Sequence, residues 1–189
     1  MSIPFPPPSN LPDFLRASLF AQRIVLVSGV LDAETAGDVA ASLMTLDALG
    51  DDRITLRLDC GDGSLEGAFT LIDTIDLLGV PVDVMCVGMA GGPAAGVLAV
   101  GDRRLITPHG RVHLCEPTVQ MAGRAVDLQH WSQHYQSQLE QLQHRLADAT
   151  GQPFEHIEAD MQRRRYLDAE EALSYGLVDE IVTPASKRR

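Results

Sequence analysis

The segment Arg111-Val112-His113-Leu114-Cys115-Glu116-Pro117 holds the densest set of groups able to do chemistry. Read as a strand, it puts His113 and Cys115 on one face, because side chains alternate along an extended chain. A thiolate beside an imidazole is a competent nucleophile and base. Residues two apart on a strand do not thereby reach hydrogen-bond distance, and a free cysteine is more often a buried small thiol. Both readings of Cys115 stay open: nucleophile of an altered hydrolase, or packed core. Asp62, in Cys60-Gly61-Asp62-Gly63, is either an acid in a cleft or ordinary Asp-Gly turn chemistry. Arg163-Arg164-Arg165 is either an anion site or a set of local ion pairs. Trp131 and Tyr135, one helical turn apart, read as packing rather than ligand binding.

Composition removes several function classes. The formal net charge is −11, which disfavours nucleic acid and anionic membranes, since both need a basic surface. The three cysteines, Cys60, Cys86 and Cys115, form no Cys-x-x-Cys pair, and an odd sparse set suits a reducing compartment. His109 and His113 are four apart, but Gly110 between them argues against a helical metal pair, so no metal and no cofactor is expected. The longest apolar stretch, near Met85 to Val100, is broken by Gly91, Gly92 and Pro93, too short to span a bilayer. The Pro-rich start lacks the order of a secretion signal, so a cytoplasmic protein is expected.

The elements that must position these groups follow from periodicity. Residues 1–13 read as a flexible Pro-rich arm, residues 14–184 as one domain and 185–189 as a tail. Phe14 to Gln22 suits a short helix, and Arg23 to Ser28 a buried strand stopped by Gly29. Ala36, Val39, Leu43 and Leu46 fall at helical spacing. Ile54, Leu56 and Leu58 alternate as in a strand, closed by a Gly-rich turn at Cys60 to Gly63. A helix follows through Ala68, Leu71, Ile72, Ile75 and Leu78; then come a strand from Val82 to Val87, a second Gly-rich turn and a small-residue helix from Ala94 to Gly101. Leu105–Ile106 and Arg111–Cys115 read as short extended segments. A long helix carries Leu128, Trp131, Tyr135, Leu139, Leu142 and Leu146, with one wet face. Ala169–Tyr175 and Val178–Val182 read as a last helix and strand. The alternation predicts an α/β fold with mostly parallel strands.

Several of these segments resemble the Clp protease proteolytic-subunit (ClpP) family. Cys86 to Gly101 (CVGMAGGPAAGVLAVG) resembles its nucleophile region, and Arg111 to Pro117 the strand that ends in its catalytic histidine. Ala149 to Asp160 resembles the Thr-Gly-Gln segment after its long helix, and AEEALSYGLVDEIV (Ala169 to Val182) is close to its C-terminal signature. The turn Asp59 to Ser64 stands where the family has Asn-Ser-Pro-Gly-Gly-Ser. The resemblance implies a crotonase-like spiral of ββα units with a protruding handle helix, about 127–150, through which rings of subunits stack.

Carried over position by position, the family's serine falls on Gly92, its histidine on Cys115 and its aspartate on Arg164. Glycine cannot attack, and arginine carries the wrong charge to steady an imidazolium. One oxyanion N–H maps to Gly63 and survives; the other maps to Pro93, which has no N–H. Losing one such donor costs about 10²–10³ in rate. Glu116 replaces the family's glutamine and could pair with Arg164. The Gly-rich peptide-binding strand of the family is represented by Thr118 to Gly123, with only Gly123 kept. The expectation is therefore a non-catalytic subunit, structural or regulatory, in a ring with itself or with other Clp proteolytic subunits. Docking of an AAA+ unfoldase is less expected, since the short arm replaces the family's axial loop. The alternatives are a Cys115 hydrolase and a homomeric ring that binds peptide or protein.

Overall fold

A computed structural model of the chain describes residues 11–119, 122 and 124–182. The tail expected at 185–189 and the first ten residues of the expected arm lie outside the described residues. A helix, α1 (Leu11–Phe20), begins inside the stretch expected to be arm. Pro12 stands in its first turn, where a missing N–H breaks no helical bond.

The order then runs β1 (Ile24–Leu31), α2 (Ala33–Leu49), β2 (Ile54–Gly63), α3 (Leu65–Leu77), β3 (Val82–Gly91), α4 (Pro93–Ala99), β4 (Arg103–Ile106) and β5 (Arg111–Leu114). It continues with α5 (Ala125–Thr150), α6 (Phe154–Gln162), β6 (Arg165–Leu167), α7 (Ala169–Tyr175) and β7 (Glu180–Ile181). The sheet order is β1-β2-β3-β4-β7, all parallel along that path, with β5 beside β3 and β6 antiparallel to β5. The fold is thus the expected α/β arrangement.

The apolar periodicities place the core. Ala36, Val39, Leu43 and Leu46 of α2 and Ala68, Leu71, Ile72 and Ile75 of α3 are buried against Leu56 and Leu58 of β2. Each large side chain removed from water here is worth about 1.5–3 kcal/mol. Asp32 caps α2 by accepting from Thr35 N–H, and Ser64 caps α3 by accepting from Gly67 N–H. The α4 segment is buried along its whole length, as its small residues allow.

Three expectations need correcting. The strand β1 is not uniformly buried; it is an edge strand with an alternating start, and it runs past Gly29 to Leu31. The two expected Gly-rich turns are strand: β2 runs to Gly63 and β3 to Gly91, with register irregularities at Gly29/Val30 and Leu58/Cys60 taking up the extra residues. The third concerns α5. Its second half is anchored by buried Leu142 and Leu146; in its first half Tyr135 packs against the core as read, while Trp131 is 61% exposed rather than packed.

Candidate functional site

The site is made by a change of partner along β3. Its first half, Asp83 to Cys86, pairs with β4; its last residues, Met89 to Gly91, pair with β5. The switch sets Gly91 opposite His113, and Gly92 N–H donates to the His113 carbonyl at 2.8 Å. On the other side β6 pairs His113 with Tyr166 and Leu114 with Arg165, which brings Arg164 to the same place. Gly92, Cys115 and Arg164, far apart in sequence, therefore converge. A Cβ at Gly92 would sit 3.4 Å from Cys115 Sγ, and the charge of Arg164 acts on Cys115 and His113 alike.

The backbone still has the shape of a sharp strand-to-helix turn. Gly92 has φ +52°, ψ −121°, and Pro93 opens α4 directly after it. Gly91 is required by contact: a Cβ there would lie 2.1 Å from the Gly61 carbonyl oxygen. Arg164 has φ +55°, an unfavourable region for an arginine.

The groups at this turn are not poised for acyl transfer. Burial pushes the Cys115 thiol up, and Arg164 only partly opposes it. Burial and then Arg164 push His113 down, so the imidazole is neutral at pH 7. A thiolate–imidazolium pair needs the opposite of both shifts. Among the described residues no hydrogen bond joins His113 to Cys115; the buried His113 Nε2 has no partner, and its ring stacks on Tyr166 at 3.9 Å with planes 4° apart. Cys60 and Cys86 are buried thiols pushed up to about 11 and about 12, chiefly by desolvation.

Among the described residues no carboxylate forms a hydrogen bond or ion pair with His113. Asp160 is buried, but its Oδ2 accepts from Tyr175 OH at 2.9 Å and pairs with Arg165 at 3.0 Å. Arg165 thus makes the local ion pair foreseen for the arginine run. The expected Glu116–Arg164 pair does not form among the described residues; Glu116 acts instead on Tyr135, whose hydroxyl is pushed to about 12 by burial first and by Glu116 and Asp62 after it.

The N–H of Gly63, which the resemblance gives as an oxyanion donor, is taken up locally. Gly63 N–H donates to Asp62 Oδ1 at 2.8 Å. Beside it opens a groove of about 760 Å³ between the start of α3, Pro117 to Val119 and the exposed first half of α5. Tyr135 OH donates to the Pro117 carbonyl at 2.6 Å and fixes that wall. Asp32, Glu66 and Trp131 also line the groove and were not singled out from sequence as site residues in this role. The signal existed for Asp32 and Asp62: Asp32 follows β1, Asp62 lies near the end of β2, and the parallel register Val30↔Asp62 puts both at the carboxyl ends of neighbouring strands. Among the described residues there is no cluster able to hold a metal ion and no helix long and apolar enough to cross a membrane.

A largely parallel sheet whose third strand changes partner, a sharp glycine turn into a buried helix and a long helix anchored by its second half define an α/β protein. The sequence matches the Clp protease family over residues 13–185, and the chain belongs to that family. It is 34% identical over 170 residues to the ATP-dependent Clp protease proteolytic subunit-related protein 2, chloroplastic, of Arabidopsis thaliana. The match covers 88% of this chain and 61% of that protein, so the chain spans about three fifths of that relative's length.

Proposed function

We propose that this chain is a non-catalytic Clp subunit, structural or regulatory, that enters a ring assembly alone or mixed with active Clp proteolytic subunits. The observation that carries the reading is the convergence of Gly92, Cys115 and Arg164 at the triad-shaped turn, with Gly63 N–H already held by Asp62. Convergence supports the positional carry-over, and the residue types supply no nucleophile–base–carboxylate set. The exposed face of the first half of α5, where Trp131 is 61% exposed, is the natural assembly surface.

A tagged form purified from its native cells, with mass spectrometry of what is retained, tests the proposal. Stoichiometric recovery of active Clp subunits supports a mixed ring, and recovery of an unfoldase adds a docking role. Native mass spectrometry of the purified chain that shows only monomer, together with no retained partner, overturns the ring.

A further inference from the structure

Away from the turn at Gly92, the first half of α5 carries a second set of chemistry-bearing side chains. His130 and His134 stand four apart on this helix, so their Cβ atoms lie about 5–6 Å apart on one face. Both are exposed, and among the described residues neither is in an ion pair. Trp131 sits between them in sequence, 61% exposed, and its indole meets the His134 ring edge-on with centroids 6.3 Å apart.

Two imidazoles at this spacing on a helix form a two-point chelate, because both nitrogens can close on one ion, as in helical His-x-x-x-His zinc sites. Imidazole selects zinc, copper and nickel over the oxygen-seeking magnesium and calcium. The pair His109 and His113 fails by contrast: His109 lies in the turn before β5, and His113 is 4% exposed within that strand.

One chain leaves such an ion half-coordinated. Asp127, a turn before His130, is already paired with Arg124 at 2.8 Å. His144 lies about 15 Å further along the helix and stacks on Phe154 at 4.5 Å. Among the described residues no three candidate ligands meet. A second copy related by a two-fold axis presents the same two nitrogens, because an isologous contact repeats each group. Two and two complete the closed tetrahedron of a structural zinc site. The same contact covers Trp131 of both copies, which accounts for a large apolar side chain left in the open.

We propose that the His130–His134 pair binds a divalent late transition ion, zinc first, and shares it with the same pair of a second copy across α5. The second copy deepens the assembly reading above and rests on it; capture of the ion by the pair does not.

Trp131 is the only tryptophan of the chain, so a paramagnetic ion held beside it quenches the chain's emission. The test uses the untagged full chain, first stripped with a chelator. Ni²⁺ is expected to quench Trp131, Zn²⁺ to compete and restore the emission, and Mg²⁺ to do neither. His130→Ala and His134→Ala should each weaken binding by about tenfold or more, since each removes one of the two nitrogens a chain supplies. Both positions are exposed and alanine favours helix, so these variants keep the fold. His109→Ala and His156→Ala should leave binding unchanged. Native mass spectrometry with Zn²⁺ should find one ion per two chains, in a paired species that chelation depletes. No quenching, quenching that survives both α5 variants, or one ion per chain without association overturns the proposal. Association that persists undiminished in chelator overturns the metal bridge and leaves the ring assembly standing. A chain that stays monomeric with Zn²⁺ and retains no partner from its cells overturns the ring reading as well.

Discussion

Two polar regions of the molecule, both built on strand ends, differ in how their groups are satisfied. Around Arg104 every arm is used. Its Nη1 donates to the carbonyls of Ala149 (2.7 Å) and Gly176 (2.8 Å), and its guanidinium pairs with the Asp179 carboxylate, which also accepts from Arg104 N–H at 2.8 Å. One side chain thereby ties β4, the end of α5, the end of α7 and the approach to β7. Around Gly92 the reverse holds. His113 Nε2 has no partner, Cys115 is a buried thiol, and Arg164 sits in a strained backbone region without an ion pair among the described residues. The polar groups around Arg104 are fully paired; those around Gly92 are left partly unpaired. The comparison teaches that one sheet can satisfy every polar group at one strand end and leave a buried imidazole nitrogen unsatisfied at another.

Substitutions can break or sharpen that contrast. The largest effect belongs to the strand crossing that shapes the turn. Gly91→Ala drives a Cβ into the Gly61 backbone, which cannot give way as a flexible side chain would. A loss of at least about 3 kcal/mol is expected, seen as insoluble protein or a collapsed thermal transition.

Next comes Arg104→Ala, which strands two carbonyls and the Asp179 carboxylate. A loss of about 2–3 kcal/mol is expected, with discounting because Asp179 is part exposed, giving roughly 5–10 °C in Tm. Its acid dependence has a definite sign. The Arg104 hydrogen bonds hold Asp179 below its ordinary pKa in the folded state. That stabilisation is therefore present above the unfolded value near 3.8 and is lost as pH falls through the lower folded value. Acid titration of stability should show this component in the native chain and not in Arg104→Ala.

The smallest effect belongs to the turn at Gly92. Arg164→Gly relieves a positive φ while adding freedom to the unfolded chain, so a change of about 0 to 1 kcal/mol towards greater stability is expected by chemical denaturation. A loss above about 2 kcal/mol would show that Arg164 holds structure and would erase the contrast with Arg104.

Much of the architecture was legible in local pattern, because Ala36-Val39-Leu43-Leu46 and Ile54-Leu56-Leu58 carry helical and strand periods that burial then confirms. The strand ends were not. Gly29, Gly61 and Gly91 read as breaks, yet neighbouring strands absorb them through register irregularities and close backbone approach. The helix α6 carried its signal in Phe154, Ile157 and Met161 but starts after Pro153 with no side-chain cap to mark it, and β6 has only three residues, two of them exposed. Strand β6 exists because β5 pairs with it, a contact some fifty residues away in sequence that no local pattern encodes. At the site, Gly92, Cys115 and Arg164 were legible by position, whereas the Asp62–Gly63 contact and the exposure of Trp131 depend on backbone direction and on what lies under α5.

The most direct measurement is hydrolysis of fluorogenic peptides and of an unfolded protein by the purified chain, run beside Cys115→Ala. A non-catalytic subunit gives no turnover above background and no difference between the two proteins. Turnover that disappears in Cys115→Ala would contradict it and would make Cys115 a working nucleophile.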